Sequence, residues 1–345
     1  MDQLLAQSSF AYSVGIFLLA AVAIGIFGIR MTHLARDLAQ VTGMGEAFTG
    51  AVFIGATTSL SGIVASATAA WQGDASLAVS NSLGGIAAQT LFLVLGDALY
   101  RKANLEHAAA SVENMMMSAQ LMLLLCILVA AFNVPGLQLW GIHPASVVLV
   151  CAYLLTLKLL VDTHENPMWI PRITRETITA DAAESPDRHQ GKLTGLIVQF
   201  LICAVAVGLA GWAISSSAIA LVGRTGLSSG VVGGTLVAIT TSLPELVVAI
   251  TAIRMGSLTL AVGDIIGGNA FDTLFVAIAD MFYRDGSIYA SIMSTEKVWL
   301  SSAMLMNAIL LLGLMYRERK GIANMGLESV LMLVVYVFTL AYLGF

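Results

Sequence analysis

Charged residues are scarce in this chain of 345 residues. Only 11% of its residues are Asp, Glu, Lys or Arg, whereas soluble domains carry roughly 25%. The hydrophobic share is 58%, and the apolar residues come in runs of roughly 20, the length that a helix needs to cross the hydrocarbon layer. These runs do not alternate apolar with polar residues, as the strands of a membrane barrel would. The sequence therefore predicts an all-α polytopic membrane protein.

Basic clusters and paired cysteines are also missing. The 16 basic and 21 acidic residues give a net charge of -5. Because no cluster of Lys and Arg could neutralise phosphates, we expect no nucleic-acid partner. Cys126, Cys151 and Cys203 lie inside apolar runs without paired spacing, which indicates packing rather than a disulfide or metal site. We find no HExxH motif and no nucleophile with a basic partner, and so expect no catalytic residues and no organic cofactor.

Ten predicted spans account for the apolar runs. They lie near residues 9–29, 46–71, 75–99, 112–132, 144–163, 193–222, 229–253, 258–282, 295–315 and 325–344. One sizeable hydrophilic segment, rich in Pro, Asp, Glu and Arg, covers residues 164–192 and separates the fifth span from the sixth. It divides the chain into two sets of five spans.

The basic residues fall mainly in alternate loops. The loops after spans 1, 3, 5, 7 and 9 hold twelve Lys and Arg residues, whereas the other loops hold three. Because short cytoplasmic loops collect positive charge, we expect both termini outside and the 164–192 linker in the cytoplasm. The expected location is the plasma (inner) membrane.

The second half of the chain repeats the first at a constant offset. Without gaps, Thr57-Thr58-Ser59-Leu60 falls on Thr240-Thr241-Ser242-Leu243, 183 residues later, and Gly84-Gly85 falls on Gly267-Gly268. Chance similarity among apolar helices does not match glycines and hydroxyl residues in this way. Since each half has five spans, an odd number, the second copy must enter the bilayer from the opposite side.

This arrangement predicts two inverted five-helix repeats. We assign residues 1–163 to the first repeat, 164–192 to the linker and 193–345 to the second repeat. The most similar segments are residues 46–99 and 229–282, approximately. Inverted repeats are typical of secondary transporters, whose substrate site lies near the bilayer midplane where the two copies meet.

Two carboxylates lie deep inside predicted spans, Glu245 in the seventh and Asp272 in the eighth. A carboxylate in hydrocarbon is costly, which makes it a functional candidate by default. Asp264, in the eighth span, is either a pathway carboxylate or a residue hydrated from the cytoplasmic side. The acids at span ends or in loops are expected to reach water: Glu46, Asp97, Glu113, Asp162, Asp280, Glu296 and Glu328.

Pro244 interrupts the seventh span. It lacks an N–H group and frees the carbonyl of Thr240, which is tolerated at membrane depth only where protein or a water-filled cavity satisfies the oxygen. With the hydroxyls of Thr241 and Ser242 and the carboxylate of Glu245, this carbonyl forms a predicted oxygen cage. Hard cations such as Na⁺ and Ca²⁺ prefer oxygen ligands, so we expect transported cations near the midplane rather than Zn²⁺ or copper.

Each of these residues also has a structural alternative. Ser and Thr in spans often bond to the preceding helical turn, and glycine pairs often serve as packing contacts. Glu245 in that case is a protonated acid bonded to a neighbour. We expect Asn269 to bridge helices rather than to bind ions.

The motifs resemble those of the cation/calcium exchanger superfamily, which includes sodium/calcium exchangers and calcium/proton antiporters. Its inverted repeats carry a Gly-Thr-Ser-x-Pro-Glu type motif on one helix and a Gly-Asn-x-x-Gly-Ser-x-x-x-Asn/Asp type motif on the next. The likeness covers essentially the whole chain and is most specific in the second repeat. It implies that Thr241, Ser242 and Glu245 are ion ligands on the seventh span and Asp272 on the eighth.

The first repeat departs from the family pattern. It keeps Thr58 and Ser59 but reads Ser61-Gly62 where Pro-Glu is expected, and Gln89 stands opposite Asp272. Gly85 and Gly268 occupy positions where the family often has serine, and Asp264 stands where it often has asparagine. The predicted cation ligands are Glu245, Asp272, Thr241, Ser242, Thr58, Ser59, Gln89, Asp264 and Thr240.

Three functions are compatible with this pattern. The first is a secondary cation antiporter working by alternating access, exchanging Ca²⁺ for Na⁺ or H⁺. The second is a Na⁺/H⁺ exchanger, because Gly62 removes a ligand for a divalent ion. The third is a cation-binding membrane protein that does not transport. The expected partners are inorganic cations and the lipid bilayer; a monomer suffices, and the oligomeric state stays open.

Overall fold

A computed structural model describes residues 10–42, 55–100, 103–165, 167–174, 177, 193–318, 321 and 325–344. In the first half the helices are α1 (Phe10–Ala23), α2 (Ile29–Thr42), α3 (Gly55–Thr58), α4 (Leu60–Trp71), α5 (Ala75–Leu99), α6 (Leu105–Ala108), α7 (Val112–Asn133) and α8 (Pro144–Glu165). A π-helical turn, Ile24–Gly28, joins α1 to α2.

The second half contains eight further helices in the described residues. They are α9 (Leu193–Thr225), α10 (Ser229–Val232), α11 (Ala238–Thr241), α12 (Leu243–Arg254), α13 (Leu258–Asp272), α14 (Leu274–Phe282), α15 (Ser294–Tyr316) and α16 (Leu327–Leu343). A π-helical turn, Gly233–Val237, joins α10 to α11, and a short 3₁₀ turn, Ile288–Ala290, precedes α15.

The predicted all-α membrane fold is confirmed, although helix length alone does not establish ten spans. Seven helical segments of the described chain are long and apolar enough to cross a bilayer, and α10–α12 form an eighth, bent by 49°. The helices α4 and α16 are apolar but shorter. Both lie inside predicted spans. Residues 46–54 of the predicted second span and most of the 164–192 linker lie outside the described residues.

The helix boundaries repeat at the offset found in the sequence. The bounds of α4 and α12 differ by 183 residues at both ends, and so do the first residues of α5 and α13. A glycine with a left-handed backbone precedes the second helix of each pair, Gly73 at φ 82° and Gly256 at φ 81°. The two-repeat architecture is therefore confirmed in the backbone.

Both repeats break a helix at the same serine. Ser59 (φ -81°, ψ 1°) separates α3 from α4, and Ser242 (φ -93°, ψ 8°) separates α11 from α12. Pro244 lies in the first turn of α12, whereas its counterpart in the first repeat is Ser61. The break in the first repeat thus occurs without a proline. The sequence did not predict it.

A glycine of each repeat packs against the broken helix of the other. A Cβ on Gly28 would lie 2.6 Å from Cγ of Pro244, and a Cβ on Gly211 would lie 2.7 Å from the carbonyl oxygen of Ser61. Gly28 and Gly211 are equivalent positions, as are Ser61 and Pro244. Only glycine allows this close approach, so the two contacts fix the π-helical turn after α1 against the start of α12, and α9 against the start of α4.

Several acids expected to reach water are buried instead. Asp97, Asp280, Glu296 and Glu328 are 0%, 1%, 0% and 6% exposed. The expectation was wrong because the fold uses them to satisfy polar groups at the helix ends.

The equivalent residues Asp97 and Asp280 show how. Oδ1 of Asp97 accepts the N–H of Leu105 at 2.8 Å and Oδ2 that of Gly326 at 2.8 Å, while Oδ2 of Asp280 accepts the N–H of His143 at 2.7 Å. Each carboxylate therefore ties the end of its helix, α5 for Asp97 and α14 for Asp280, to residues of the other repeat or of an adjoining loop.

We expect Gly84→Ala to destabilise the fold. A Cβ on Gly84 would overlap the carbonyl oxygen of Gly234, whereas a Cβ on its counterpart Gly267 meets only Sδ of Met117, at 3.5 Å. Forced overlap of this kind costs about 1–3 kcal/mol. Thermal unfolding in detergent should show a lower midpoint for Gly84→Ala and a nearly unchanged one for the matched variant Gly267→Ala. Equal midpoints would contradict the assigned contact.

Glu106 provides a pH-dependent test of the packing around Asp97 and Glu328. Burial, and then the neighbouring Asp97 and Glu328, raise the pKa of the Glu106 carboxyl well above its usual range. Folding therefore favours the protonated acid, and stability is lost as the pH rises above the ordinary glutamate value. Glu106→Gln should raise the thermal midpoint at pH 8 and have little effect at pH 4. The exposed Asp162→Asn serves as the control and should change neither; a uniform shift for Glu106→Gln would contradict this interpretation.

Candidate functional site

Four buried polar side chains meet between the broken helices and the central helices α5 and α13. Ser59 donates to Oδ1 of Asp272 at 2.9 Å, Nε2 of Gln89 donates to Oδ2 of Asp272 at 2.6 Å, and the same Nε2 donates to Oγ of Ser242 at 3.1 Å. We call Ser59, Asp272, Gln89 and Ser242 the central cluster. Each repeat contributes one serine and one longer side chain, and both pairs are related by the offset of 183 residues.

Asp272 is placed by the end of a helix. It is the last residue of α13, and a turn at Thr273 separates α13 from α14. Its backbone carbonyl accepts a hydrogen bond from Ser82 of α5 at 2.7 Å. Both the carboxylate and the backbone of this residue are therefore held by the first repeat.

Glu245 lies in the first turn of α12 and is 2% exposed. The side chain of Thr58 hydrogen-bonds to its carboxylate, while Oε2 is buried without a hydrogen-bond partner. The N-terminal end of a helix carries partial positive charge and stabilises an anion at this position. The break before α12 thus presents Glu245 in a favourable field with an oxygen left available for a ligand.

Thr241 hydrogen-bonds outside the central cluster. Its hydroxyl donates to Oδ1 of Asn81 at 3.2 Å and to the carbonyl of Val237 at 3.0 Å, and its own carbonyl accepts from Ser61 at 3.0 Å. Thr241 is therefore engaged with α5 and its own helix. Thr240 is buried, and the described contacts do not link its side chain to the central cluster.

Two glycines border the cluster. A Cβ on Gly85 would lie 3.5 Å from Oδ2 of Asp272 and 3.8 Å from Oγ of Ser242, and a Cβ on Gly268 would lie 3.3 Å from Oε1 of Gln89. That amide oxygen is buried and has no hydrogen-bond partner. These are the positions where the resemblance predicted serine. The space beside Gly85 accommodates one more small group, whereas a side chain at Gly268 would require Gln89 to shift.

Gly62 leaves no space for the acid that the family pattern would place there. A Cβ on Gly62 would lie 2.5 Å from Cε2 and 3.0 Å from Cζ of Phe275, a ring that is 3% exposed. The volume of the missing glutamate is filled by an aromatic side chain of the second repeat. The asymmetry seen in the sequence is thus built into the packing.

Asp264 lies at the edge of the site. It is half-buried on α13, eight residues before Asp272, and acts electrostatically on Glu245. Its counterpart Asn81 donates to the carbonyl of Gly62 at 3.1 Å and to Ser66 at 2.8 Å. A carboxylate has no N–H to donate, so Asp264 cannot reproduce those bonds when it is ionised.

Hydrogen bonds join four of the nine predicted ligands, Ser59, Asp272, Gln89 and Ser242. Two more, Glu245 and Thr58, lie beside each other, and Asp272 acts electrostatically on Glu245. Thr241 hydrogen-bonds to Asn81, and the described contacts do not connect the side chain of Thr240 to the central cluster. Asp264 lies at the edge of the site. Asn269 donates to Thr90 at 3.0 Å and so bridges two helices, as expected.

Sequence reasoning missed four residues that shape the site: Ser61, Asn81, Ser82 and Phe275. Of these, Asn81 carried a signal, because it stands at the asparagine of the family motif in the first repeat.

The chemistry of the site is that of neutral oxygens around two carboxylates. Among the described residues, no three His, Cys, Asp or Glu side chains are arranged to hold a metal ion. A cation here must therefore use hydroxyl, amide and carbonyl oxygens or water to complete its shell, which suits hard cations.

Comparisons with known proteins agree with this description. The model of a family described as sodium/calcium exchanger protein matches residues 12–161 and 195–345. The putative antiporter CaxA of Alkalimonas amylolytica is 26% identical over 303 residues, covering 87% of this chain and 89% of the relative. The sodium/calcium exchanger MaX1 of Methanosarcina acetivorans is 32% identical over 101 residues, 29% of each chain.

A solved structure shows the same fold. The sodium-calcium exchanger NCX_Mj, soaked with 10 mM Na⁺ and zero Ca²⁺, superposes with a TM-score of 0.59 at 20% identity. The match covers 96% of this chain and 99% of the other. At that level of identity the likeness concerns the fold alone.

Gly85→Ser should strengthen cation binding. The added hydroxyl would stand beside Asp272 and Ser242, where a Cβ meets only ordinary contacts. We expect a larger cation-dependent rise in thermal midpoint, with Na⁺ or Ca²⁺ as the probe, than in the unmodified chain. The matched Gly85→Ala adds the carbon without the oxygen and should give no such gain. Equal effects of Ser and Ala would contradict the placement of this glycine beside the ligands.

Proposed function

From its membership of the sodium/calcium exchanger protein family, we propose that this integral membrane cation antiporter exchanges Ca²⁺ for Na⁺ or H⁺ by alternating access. The observation that carries the proposal is the pairing of two buried acids from neighbouring helices of the second repeat, Glu245 and Asp272, with hydroxyls of the first repeat. As a member of this family the chain is a secondary transporter rather than an enzyme. The putative antiporter CaxA supports antiport, and the sodium/calcium exchanger MaX1 supports the choice of cations.

The proposed ligands are the carboxylates of Glu245 and Asp272 and the hydroxyls of Ser59, Ser242 and Thr58. The unpartnered amide oxygen of Gln89 and the carbonyl of Thr240 are proposed to complete the shell with water. Thr241 and Asp264 are proposed as contributors from the edge, because Thr241 orients Asn81 and Asp264 acts on Glu245 electrostatically.

Exchange follows from competition for the same acids. Asp272 accepts hydrogen bonds on both of its oxygens, from Ser59 and from Gln89. A cation that binds must displace or reorient these donors, and another cation or protons must replace it when it leaves, since two bare buried carboxylates are costly. The two repeats offer equivalent arrangements that open to opposite faces of the membrane.

A Na⁺/H⁺ exchanger is the second candidate. The packing of Phe275 against Gly62 favours it, because this ring takes the place of a third carboxylate and lowers the charge available for a divalent ion.

The distribution of basic residues supports a proposal for the orientation in the membrane. We propose that both termini lie outside, that the 164–192 linker is cytoplasmic and that the protein is located in the plasma membrane.

Glu245→Gln tests the proposed site. Proteoliposomes containing the full chain should show cation flux driven by imposed Ca²⁺, Na⁺ or pH gradients, and the variant should lower it by at least about tenfold, the effect of losing about 1.4 kcal/mol of ion stabilisation. The exposed Asp162→Asn should retain flux. Undiminished exchange by Glu245→Gln would refute the site, and cation-dependent thermal stabilisation without any flux would identify a binding protein instead.

A further inference from the structure

The ring of Phe275 that fills the space beside Gly62 is held firmly. It packs edge-on against Phe271, with ring centroids 6.4 Å apart at 80°, and Phe271 packs edge-on against Tyr153 at 5.9 Å and 79°. Phe275 and Tyr153 are only 3% and 4% exposed. A side chain at position 62 would have to displace this row of rings, so the site keeps the carboxylates that it has.

The remaining members of the central cluster add no charge. Gln89, which stands opposite Asp272, is a neutral amide, and Ser59 and Ser242 are hydroxyls. The charged groups that act on Glu245 are Asp272 and Asp264, both acidic, and the polar partners of Asp272 are Ser59 and Gln89. Glu245 and Asp272 are thus the two buried carboxylates of the site.

Asp264 stands outside this pair. It lies eight residues before Asp272 on α13, which is about 12 Å along the helix at a rise of about 1.5 Å per residue. It is half-buried, whereas both acids of the pair are 2% exposed. Although its Oδ2 is buried, more than two helical turns separate Asp264 from Asp272, and we therefore count its charge outside the pair.

We propose, resting on the antiport function above, that the loaded site always holds two positive charges and that exchange is therefore electroneutral. One Ca²⁺ or two monovalent cations cancel the two carboxylates, so each loaded form crosses the membrane without net charge. With three carboxylates, three monovalent cations would balance the site but one Ca²⁺ would leave a charge of -1. Gly62 stands where the family pattern has an acid, and Phe275 fills the space beside it. Their presence thus sets the ratio in which the cations are exchanged.

Electroneutral exchange and exchange that moves net charge differ strongly in how they respond to membrane potential. Moving one charge against 100 mV is worth about 2.3 kcal/mol, which corresponds to about a 50-fold change in the equilibrium cation gradient. An electroneutral exchanger shows no such change.

The test uses proteoliposomes with the full unmodified chain and equal Na⁺ and pH on both sides. A K⁺ gradient with valinomycin sets an inside-positive potential, and the steady-state ratio of ⁴⁵Ca²⁺ inside to outside is measured. Where the vesicles carry Na⁺ against H⁺ instead, ²²Na⁺ is the tracer. Activity is first established with an imposed cation or pH gradient, and protein-free vesicles serve as the blank.

We expect the ratio to stay within about twofold of one. Accumulation approaching about 50-fold for each 100 mV would overturn the proposal. The same accumulation is expected if a charged Asp264 is a third carboxylate of the site. Absence of flux under every gradient would instead refute the antiport function itself, and the electroneutral inference would fall with it. The two failures are therefore distinguishable.

A pair of matched variants tests the origin of the charge. Gly62→Glu with Phe275→Ala removes the ring and restores a third carboxylate, and should make the steady-state ratio respond to potential. Gly62→Gln with Phe275→Ala has the same shape without the charge and should stay near one. A ratio near one for both would overturn the assignment to position 62. Should neither variant fold, the measurement on the unmodified chain still decides the proposal.

Discussion

The hydrogen-bonded contact of Asp272 with Ser59 and Gln89 is the interaction on which the rest of this structure depends. It joins a carboxylate of the second repeat to a hydroxyl and an amide of the first, at distances of 2.9 Å and 2.6 Å, in a setting where unpartnered charge is costly. To make this contact, both repeats must break a helix at an equivalent serine and bring their central helices close together. The glycines at the crossings allow that approach.

The two repeats share a backbone but differ in chemistry. Equivalent positions carry Gly62 and Glu245, and likewise Gln89 and Asp272, so both carboxylates of the site come from the second repeat. The first repeat supplies neutral donors and acceptors and receives Phe275 into the space of its missing acid. A symmetric scaffold therefore holds a site in which one half binds charge and the other half sets the shape.

Much of this was predictable from the sequence, and the remainder has physical reasons. Matched glycines and hydroxyls revealed the repeat, and the cost of burying acids identified Glu245 and Asp272. The helix break at Ser59 was not predictable, because no proline marks it and packing against α9 accompanies it. The burial of Asp97 and Asp280 was missed because their partners are backbone N–H groups distant in sequence. The ring of Phe275 was missed because a glycine does not reveal what occupies the space beside it.

The reciprocal glycine crossings carry a consequence for how the chain is assembled. Ser61 is covered by Gly211, and Pro244 by Gly28, so each half supplies the cover for the break in the other. During synthesis, residue 211 is added after the whole of the first half, residues 1–163. The first broken helix is therefore made before the segment that covers it, and the contacts that cover both breaks form only after the second half has been synthesised.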